Sequence, residues 1–388
     1  MEALGSLDFK LSLEREVIRF WFPRSVDTTH GGFFSAFDAD GTLVDTDKSV
    51  WAQGRMAWML LTLYNQWERR SEWLEWAESG LTFLEEHCFD RDGRLFFQMT
   101  EDGKPLRKRR YAYSEAFAAI AYAAHAKATG SSSSADKARA LLDQFFEIHF
   151  VSGRMVPKFT NERPTRGLGP LMIALVTAQE LAACLGDDAD QRTRREGWVA
   201  DIGRYFVDDS RRAVLETVGL NGEILDHFDG RLLNPGHAIE AAWFVMREGD
   251  ASGEAGFIDL GLRMLDYSWE RGWDSEFGGL FYFRDLDDKP IQEYWAQMKF
   301  WWPQNEAMIA TLLAHRLTGD VRHGRRFETV TRWSFDHFAD EEHGEWYGYL
   351  NRDGSVSTTL KGNLWKSFFH LPRALFYCSE WLSDDDDD

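Results

Sequence analysis

Four stretches of the chain repeat one pattern. "GGFFSAFDADGTLV" (31–44), "GRLFFQMTEDGKPL" (93–106), "GGLFYFRDLDDKPI" (278–291) and "GEWYGYLNRDGSVS" (344–357) each open on Gly, carry aromatics at alternating positions and then turn at an acidic tight turn. Asp-Gly between two apolar runs is a hairpin signal, and "AVLETVGLNGEIL" (213–225) is a looser copy with Asn-Gly. The Asp-rich copies lack the D-x-[DN]-x-[DN]-G frame and the closing Glu of a calcium loop, so they read as turns. Helical periodicity dominates the rest. It predicts helices near 8–22, 48–68, 71–88, 112–129, 135–150, 168–186, 190–207, 236–248, 254–270, 300–318, 322–338 and 363–382. Units of this size must stack on neighbours to bury a face. Twelve helices in six pairs close into an all-α (α/α)6 barrel, with short β-hairpins at one rim and a pocket at the centre. No long linker divides the chain, so residues 1–383 are expected to form one domain, followed by the acidic tail Asp384–Asp388. "SSSS" at 131–134 reads as a loop, and "RKRR" at 107–110 as a solvated strand end.

The net charge of −20 repels phosphate backbones and argues against a nucleic-acid partner. No stretch approaches the roughly 18 continuous apolar residues of a membrane span. Cys88, Cys184 and Cys378 share no motif, and "MEALGSLDFKLSLERE" has no apolar leader. Both features lead us to expect reduced thiols in a cytoplasmic protein. The 17 Trp, 29 Phe and 11 Tyr first suit a large helical core. They also suit a pocket for sugar rings, which show an apolar face and a polar rim.

Within "NPGHAIEAAWF" (234–244), Asn234 is a cap and Pro235 a first helical residue, which puts His237 in the first turn. The positive end of the helix dipole disfavours imidazolium there. A neutral ring is what a general base needs near pH 7. Glu240, three residues on, is within reach to orient that ring; a buried His satisfied by its neighbour is the plainer alternative. In "LWKSFFHLPRAL", His370 precedes Arg373 by three residues, and Pro372 should kink or restart the helix. Arg55 shares a helix face with Trp51 and Trp58, and is costly to bury there unless it pairs. Glu306 opens a helix behind Trp301 and Trp302. The His237/Glu240 spacing suits two metal ligands, but no H-E-x-x-H or Cys/His cluster accompanies it. No G-x-S-x-G, G-x-G-x-x-G or Walker A motif occurs either.

Six blocks in order resemble the N-acylglucosamine 2-epimerase family, the renin-binding-protein group. They are "GGFFSAFDADGTLVDTDKSVWAQGRMAW" (31–58), "GRLLNPGHAIEAAWF" (230–244), "WDSEFGGLFYF" (273–283), "KFWWPQNEAMIA" (299–310), "GEWYGYLNRDG" (344–354) and "LKGNLWKSFFHLPRAL" (360–375). The resemblance covers essentially the whole chain. It implies an (α/α)6 barrel and sugar epimerisation at C2 without a metal or redox cofactor. It assigns catalytic roles to His237, His370, Arg55, Glu240 and Glu306, and substrate contacts to Trp51, Tyr111, Met172, Arg231, Trp302, Gln304 and Arg373. It further implies a homodimer, with ATP or a related nucleotide as an activator that is not consumed. Met172 stands where branches acting on unacylated sugars carry a third His, which favours N-acetylglucosamine and N-acetylmannosamine. Gln304 stands where the N-acyl branch often has His, which keeps unacylated sugars as the alternative. A glycoside hydrolase on the same barrel, needing two flanking carboxylates, and a non-catalytic partner-binding protein are the readings from other classes.

Overall fold

The computed structural model describes residues 7–160 and 162–383; the acidic tail 384–388 lies outside the described residues. Among the described residues twelve main helices follow one another, with a single short turn of helix at Phe228–Arg231 besides. The first, α1, runs through Phe9–Ser12, widens into π-helical turns over Leu13–Ile18 and ends at Arg19–Trp21. After it come α2 (Val50–Gln66), α3 (Ser71–His87), α4 (Tyr113–Thr129), α5 (Ser132–Phe150), α6 (Leu168–Leu185) and α7 (Ala189–Phe206). The chain closes with α8 (Pro235–Ser252), α9 (Ala255–Gly272), α10 (Trp301–Thr318), α11 (Val321–Phe338) and α12 (His370–Ser383).

The even-numbered helices form an inner ring, each packed on the next. Trp58–Phe369 and Trp67–Phe376 ring contacts, at 5.4 and 6.4 Å, close α12 against α2. The odd-numbered helices form the outer ring. The burial pattern explains the division. On α10 every residue from Trp301 to Ala314 is buried, as an element enclosed on all sides requires, whereas α11 buries one stripe (Phe327, Val330, Trp333 and neighbours). The structure is thus the expected (α/α)6 barrel. α6 is long and apolar enough to cross a membrane by composition. Here it is an inner helix whose Gln179 and Glu180 bond Glu248 and Arg247.

Three of the Gly-aromatic repeats are held by the same buried lock. Asp27, Asp274 and Asp340 each open a turn in which one carboxylate oxygen accepts two backbone N–H groups. The other oxygen accepts from a buried lysine far along the chain, Lys48 (2.7 Å), Lys299 (3.0 Å) or Lys361 (2.8 Å). Each lysine also donates to a carbonyl of its turn, on Gly31, Gly279 and Gly344. Burial works against these carboxyls, but the cationic donors (with Arg352 added at Asp274) and the turn amides prevail. All three titrate below the ordinary carboxylate range. Two consecutive left-handed residues finish each turn. Gly31–Gly32 and Gly278–Gly279 take that conformation freely, whereas the third copy has Gly344 and then Glu345 at φ 58°. Glu345 is held there by Trp21 Nε1 and Lys366 Nζ, which both donate to its carboxylate.

The lock fixes where the inner helices begin. Lys48–Ser49 and Lys299–Phe300 are short strands leading directly into α2 and α10. They pair with Gln98–Met99 and Tyr349–Leu350 of the following repeat, so each rim loop ties one helix pair to the next.

Four expectations need correction. The segment 278–291 does not close its own hairpin: Arg284–Asp285 pairs instead with Leu232–Leu233. Likewise Thr217–Gly219, in the Asn-Gly copy, pairs with Thr165–Gly167. "SSSS" is not a loop, since Ser131 caps α5 by accepting from Ser134 N and the next three serines are helical. The last helix starts at His370 rather than near 363. Asn363 Oδ1 accepts from the backbone N–H of Trp365 and Lys366, a local bond that competes with helix, and Pro372 lies harmlessly in the first turn.

Replacing Lys48 with Met leaves Asp27 buried and the carbonyls of Gly31 and Glu101 without a donor. We expect a loss of about 3–5 kcal/mol in urea unfolding, partly recovered by adding Asp27→Asn.

Candidate active site

Counted from the first helical residue, the second positions of α2, α8 and α10 are Trp51, Gly236 and Trp302, and the sixth are Arg55, Glu240 and Glu306. Residues four apart share a helix face. A layer of rings therefore sits one turn above a layer of charge on the inner wall. The third helix omits the ring because there is no room: a Cβ on Gly236 would lie 2.6 Å from the Trp302 ring.

α12 completes the charged layer. Arg373 Nη2 donates to Glu240 Oε1 at 2.9 Å and to Glu306 Oε1 at 2.5 Å. Glu306 Oε2 accepts from Trp243 Nε1 at 2.9 Å, and its Oε1 lies 2.6 Å from His370 Nδ1. A carboxylate only accepts, so Nδ1 of His370 carries the proton and Nε2 is left with a free lone pair. Burial drives the His370 pKa well below the ordinary imidazole value. Glu240 opposes that shift, while the positive Arg373 and Arg55 reinforce it. His370 is a buried neutral base. Burial likewise pushes Arg55 down to about 9, with Glu240 resisting and Arg373 assisting, so the guanidinium stays charged at neutral pH. Its cation lies 4.0 Å from the Phe117 centroid and 5.1 Å from that of Trp51, and its Nε is shut in without a partner. Among the described residues Arg55 has no ion-pair partner, which leaves a positive charge poised for an incoming anion.

His237 departs from expectation in two ways. Asn234 does cap α8, accepting from His237 N, and Pro235 is the first helical residue. The ring, however, is oriented by Glu216 rather than Glu240, with His237 Nδ1 3.0 Å from Glu216 Oε1. Asn234 Nδ2 is also 3.1 Å from Nδ1, but a carboxylate outcompetes a neutral amide for that position, so Nδ1 is the protonated nitrogen. Burial alone would lower the His237 pKa. The Glu216 charge and hydrogen bond outweigh it, with a smaller contribution from Glu240, and the pKa is raised. The dipole argument for a neutral ring is therefore overridden by a carboxylate 21 residues upstream, in the bend ahead of the strand Thr217–Gly219, where no local spacing could reveal it. Glu240 instead serves Arg373. The two imidazoles lie against one indole, Trp302, with centroids at 5.2 Å for His237 and 5.8 Å for His370. The side chain of His237 keeps 36% of its surface open, whereas that of His370 keeps 9%.

Glu240, Glu306 and His370 each offer a ligand atom within 4.8 Å of the others, a spacing that could hold a metal ion. Arg373 already binds both carboxylates and supplies the counter-charge a cation would bring.

The remaining expected residues divide. Trp302 lies against both imidazoles and Trp51 carries Arg55 on its face, while Tyr111 is 6.3 Å from Trp51 and reaches the cluster only through it. Met172 is buried in the main apolar core. Arg231 is engaged by Asp285 and Asp226. Gln304 is fully buried, its amide clamping the backbone of Leu280 through both N–H and C=O, as Gln53 clamps Phe33 in the first repeat. Its amide is used in the fold, and the structure does not bring it to the charged cluster.

Residues 32–374 match the profile of the family described as N-acylglucosamine 2-epimerase (GlcNAc 2-epimerase). The chain is 38% identical over 381 residues to N-acylglucosamine 2-epimerase of Bos taurus, covering 95% of this chain and 89% of that protein. Among solved structures, cellobiose 2-epimerase from Bacillus thermoamylovorans superposes with a TM-score of 0.85 at 20% identity, covering 98% of this chain and 100% of the other. A D-mannose isomerase superposes with a TM-score of 0.83 at 20% identity, covering 97% of each.

The opposed environments of the two imidazoles are directly measurable. In an NMR titration His237 should titrate above 6.5 and His370 well below it. Glu216→Gln should lower the His237 value and leave His370 in place.

Proposed function

The chain belongs to the N-acylglucosamine 2-epimerase family and is an isomerase, and from that premise we propose that it interconverts N-acetyl-D-glucosamine and N-acetyl-D-mannosamine. The observation that carries this reading is the pair of carboxylate-anchored histidines facing one indole with their pKa values pushed apart. Such a divergence is how acid and base roles are divided between like residues.

The chemistry follows from the residue types. The sugar must open to expose the C1 aldehyde, which acidifies the C2 proton. His370 Nε2, neutral and unprotonated, takes that proton from one face, and the C2–H electron pair moves into an enediolate whose charge develops on O1. Arg55, cationic and free of any ion pair, meets that charge. His237, charged through Glu216, delivers its Nε2 proton to the opposite face of C2, and the carbonyl re-forms with inverted configuration. In the reverse reaction the histidines exchange roles. The steps are proton transfers that the side chains themselves supply, so the reading calls for no metal or redox cofactor. The hydrolase alternative suits the geometry less well, because Glu240 and Glu306 are both tied to Arg373 rather than standing apart on either side of a bond to be cut. The family resemblance alone supports two further parts of the reading, a homodimer and acceleration by ATP without its consumption, and the three free cysteines support a cytoplasmic location.

Incubation in D2O with N-acetylglucosamine, N-acetylmannosamine, glucose, mannose and cellobiose separately, with and without ATP, tests the proposal by NMR. Deuterium should enter C2 of the N-acyl sugars with appearance of the epimer. Exchange at C2 of none of the five sugars would sink the proposal, and exchange confined to unacylated sugars would replace it. His370→Ala should lower turnover ~10²-fold or more. The pH profile should hold through 6.5 and fall only well below it, where His370 becomes protonated, and fall again on the alkaline side as His237, whose pKa is raised, loses its proton. Glu216→Gln should move the alkaline limb toward acid and leave the acid limb unchanged.

A further inference from the structure

Beside the histidines lies a wall built only of rings and unpaired guanidinium groups. The Trp51 indole is ringed by Phe97 (5.3 Å), Phe117 (5.3 Å), Trp365 (5.7 Å), Tyr113 (5.9 Å) and Tyr111 (6.3 Å). Arg55 stacks on Trp51 and Phe117 from the charged layer below. Arg109 stacks on Phe97 at 4.5 Å and Trp365 at 5.4 Å, and also lies over Tyr111 at 5.7 Å. Neither arginine has an ion-pair or side-chain hydrogen-bond partner among the described residues, and the Nε of each is enclosed without an acceptor. The neighbouring Lys108 shows the contrast, for it turns the other way and binds Asp90 and Asp92. With 64 acidic residues in the chain, carboxylates are plentiful, so their absence from this wall marks a surface matched to something other than a protein counter-ion. The wall is also open: Trp365 is 42% exposed, and Trp51, Tyr111 and Arg109 are half-buried.

A ligand group suited to this wall must be flat, apolar on its faces and able to present a hydrogen-bond acceptor to a guanidinium. A sugar hydroxyl fits poorly, because it has no apolar face to lay against the rings. An acylamino group fits: its methyl lies against the rings, and its carbonyl oxygen accepts from a guanidinium. Its site of attachment is C2, the carbon the histidines flank, and Arg55 belongs to both the charged layer and this wall. We propose that the cage of Trp51, Tyr111 and Trp365, with Arg109, is the acyl subsite and sets the preference for N-acylated sugars. The assignment rests on the epimerase reading above. Trp365 closes the outer side of the cage, where a longer acyl chain would have to pass.

The test compares wild type, Trp365→Ala and Arg109→Met on three substrates: N-acetylmannosamine, N-propanoylmannosamine and 6-deoxy-N-acetylmannosamine. Trp365 is exposed enough that its truncation does not empty the core, and thermal unfolding of each variant checks this. Both variants should lose about tenfold or more in kcat/KM on N-acetylmannosamine, mainly through KM. Trp365→Ala should raise the propanoyl-to-acetyl ratio about tenfold or more, whereas the 6-deoxy-to-parent ratio should stay fixed in both variants. An unchanged acyl ratio in Trp365→Ala overturns the assignment. A shift in the 6-deoxy ratio overturns it too, since the cage would then hold the far end of the sugar. Absence of wild-type turnover on all three N-acyl sugars is a different failure, that of the epimerase reading itself, and is seen before any variant is compared.

Discussion

A buried aspartate–lysine pair, used three times, is the constraint on which the rest depends. In an α-helical toroid the inner helices touch only one another and the outer ring, and nothing in helix packing alone fixes how far each slides along its axis. The locks at Asp27–Lys48, Asp274–Lys299 and Asp340–Lys361 provide that register. Each ties a turn to the residue just ahead of an inner helix or, in the last copy, to the extended segment that leads to α12. Once the starts of α2 and α10 are set, helical geometry places Trp51 and Trp302 in one layer and Arg55 and Glu306 in the next. Pairs this deep are not a cheap way to gain stability, because desolvation opposes them. Their value lies in specificity of register, which a catalytic layer four residues inside a helix requires.

The charged layer is itself arranged by the same logic. Two carboxylates and two guanidinium groups converge there, and the asymmetry of their pairing matters more than their number. Arg373 binds Glu240 and Glu306 and so consumes their charge. Arg55 is left with aromatic faces only. A positive group that has been desolvated but not neutralised interacts strongly with any anion that forms near it, and needs no reorganisation to do so. Glu306 meanwhile holds His370 in one tautomer while Trp243 and Arg373 also donate to its carboxylate, so both of its oxygens are engaged and the ring orientation is fixed.

Much of this was legible in the sequence, and what was not has definite physical causes. The twelve helices follow from apolar periodicity, and the helix start at Asn234–Pro235 from local capping chemistry. Local rules see pairs three or four residues apart, however, and they assigned Glu240 to His237 on that basis. The actual partner, Glu216, reaches the ring from the bend just ahead of the strand Thr217–Gly219, whose position depends on pairing with Thr165–Gly167. Gln304 misleads for a related reason. Its place beside Trp302 and Glu306 suggests a pocket residue, yet it stands in the position of Gln53, where both amides clamp the turn of their own repeat. Recognising the repeat as aromatic hairpins found the outer part of the unit and missed the Asp and Lys that frame it, because an isolated Asp or Lys carries no signal until the turn brings them together.

The contrast between the two histidines follows from where their carboxylate partners sit. Each imidazole has one nitrogen fixed by a Glu, so the partner alone does not separate them. His370 lies deep, and burial does most to lower its pKa; Glu240 opposes that, and the Arg373 and Arg55 charges add to it. His237 sits nearer the opening with a Glu216 for which no cation competes among the described residues, and the carboxylate prevails. Under the proposed chemistry this offset has a purpose. Two charged rings would leave no base, and two neutral rings no acid, but a pair that holds one proton between them always has one of each. The reverse reaction needs that proton on His370, against its resting preference. An enediolate forming beside the ring supplies the negative charge that makes the transfer favourable, so the intermediate itself equalises two sites that the empty protein keeps apart.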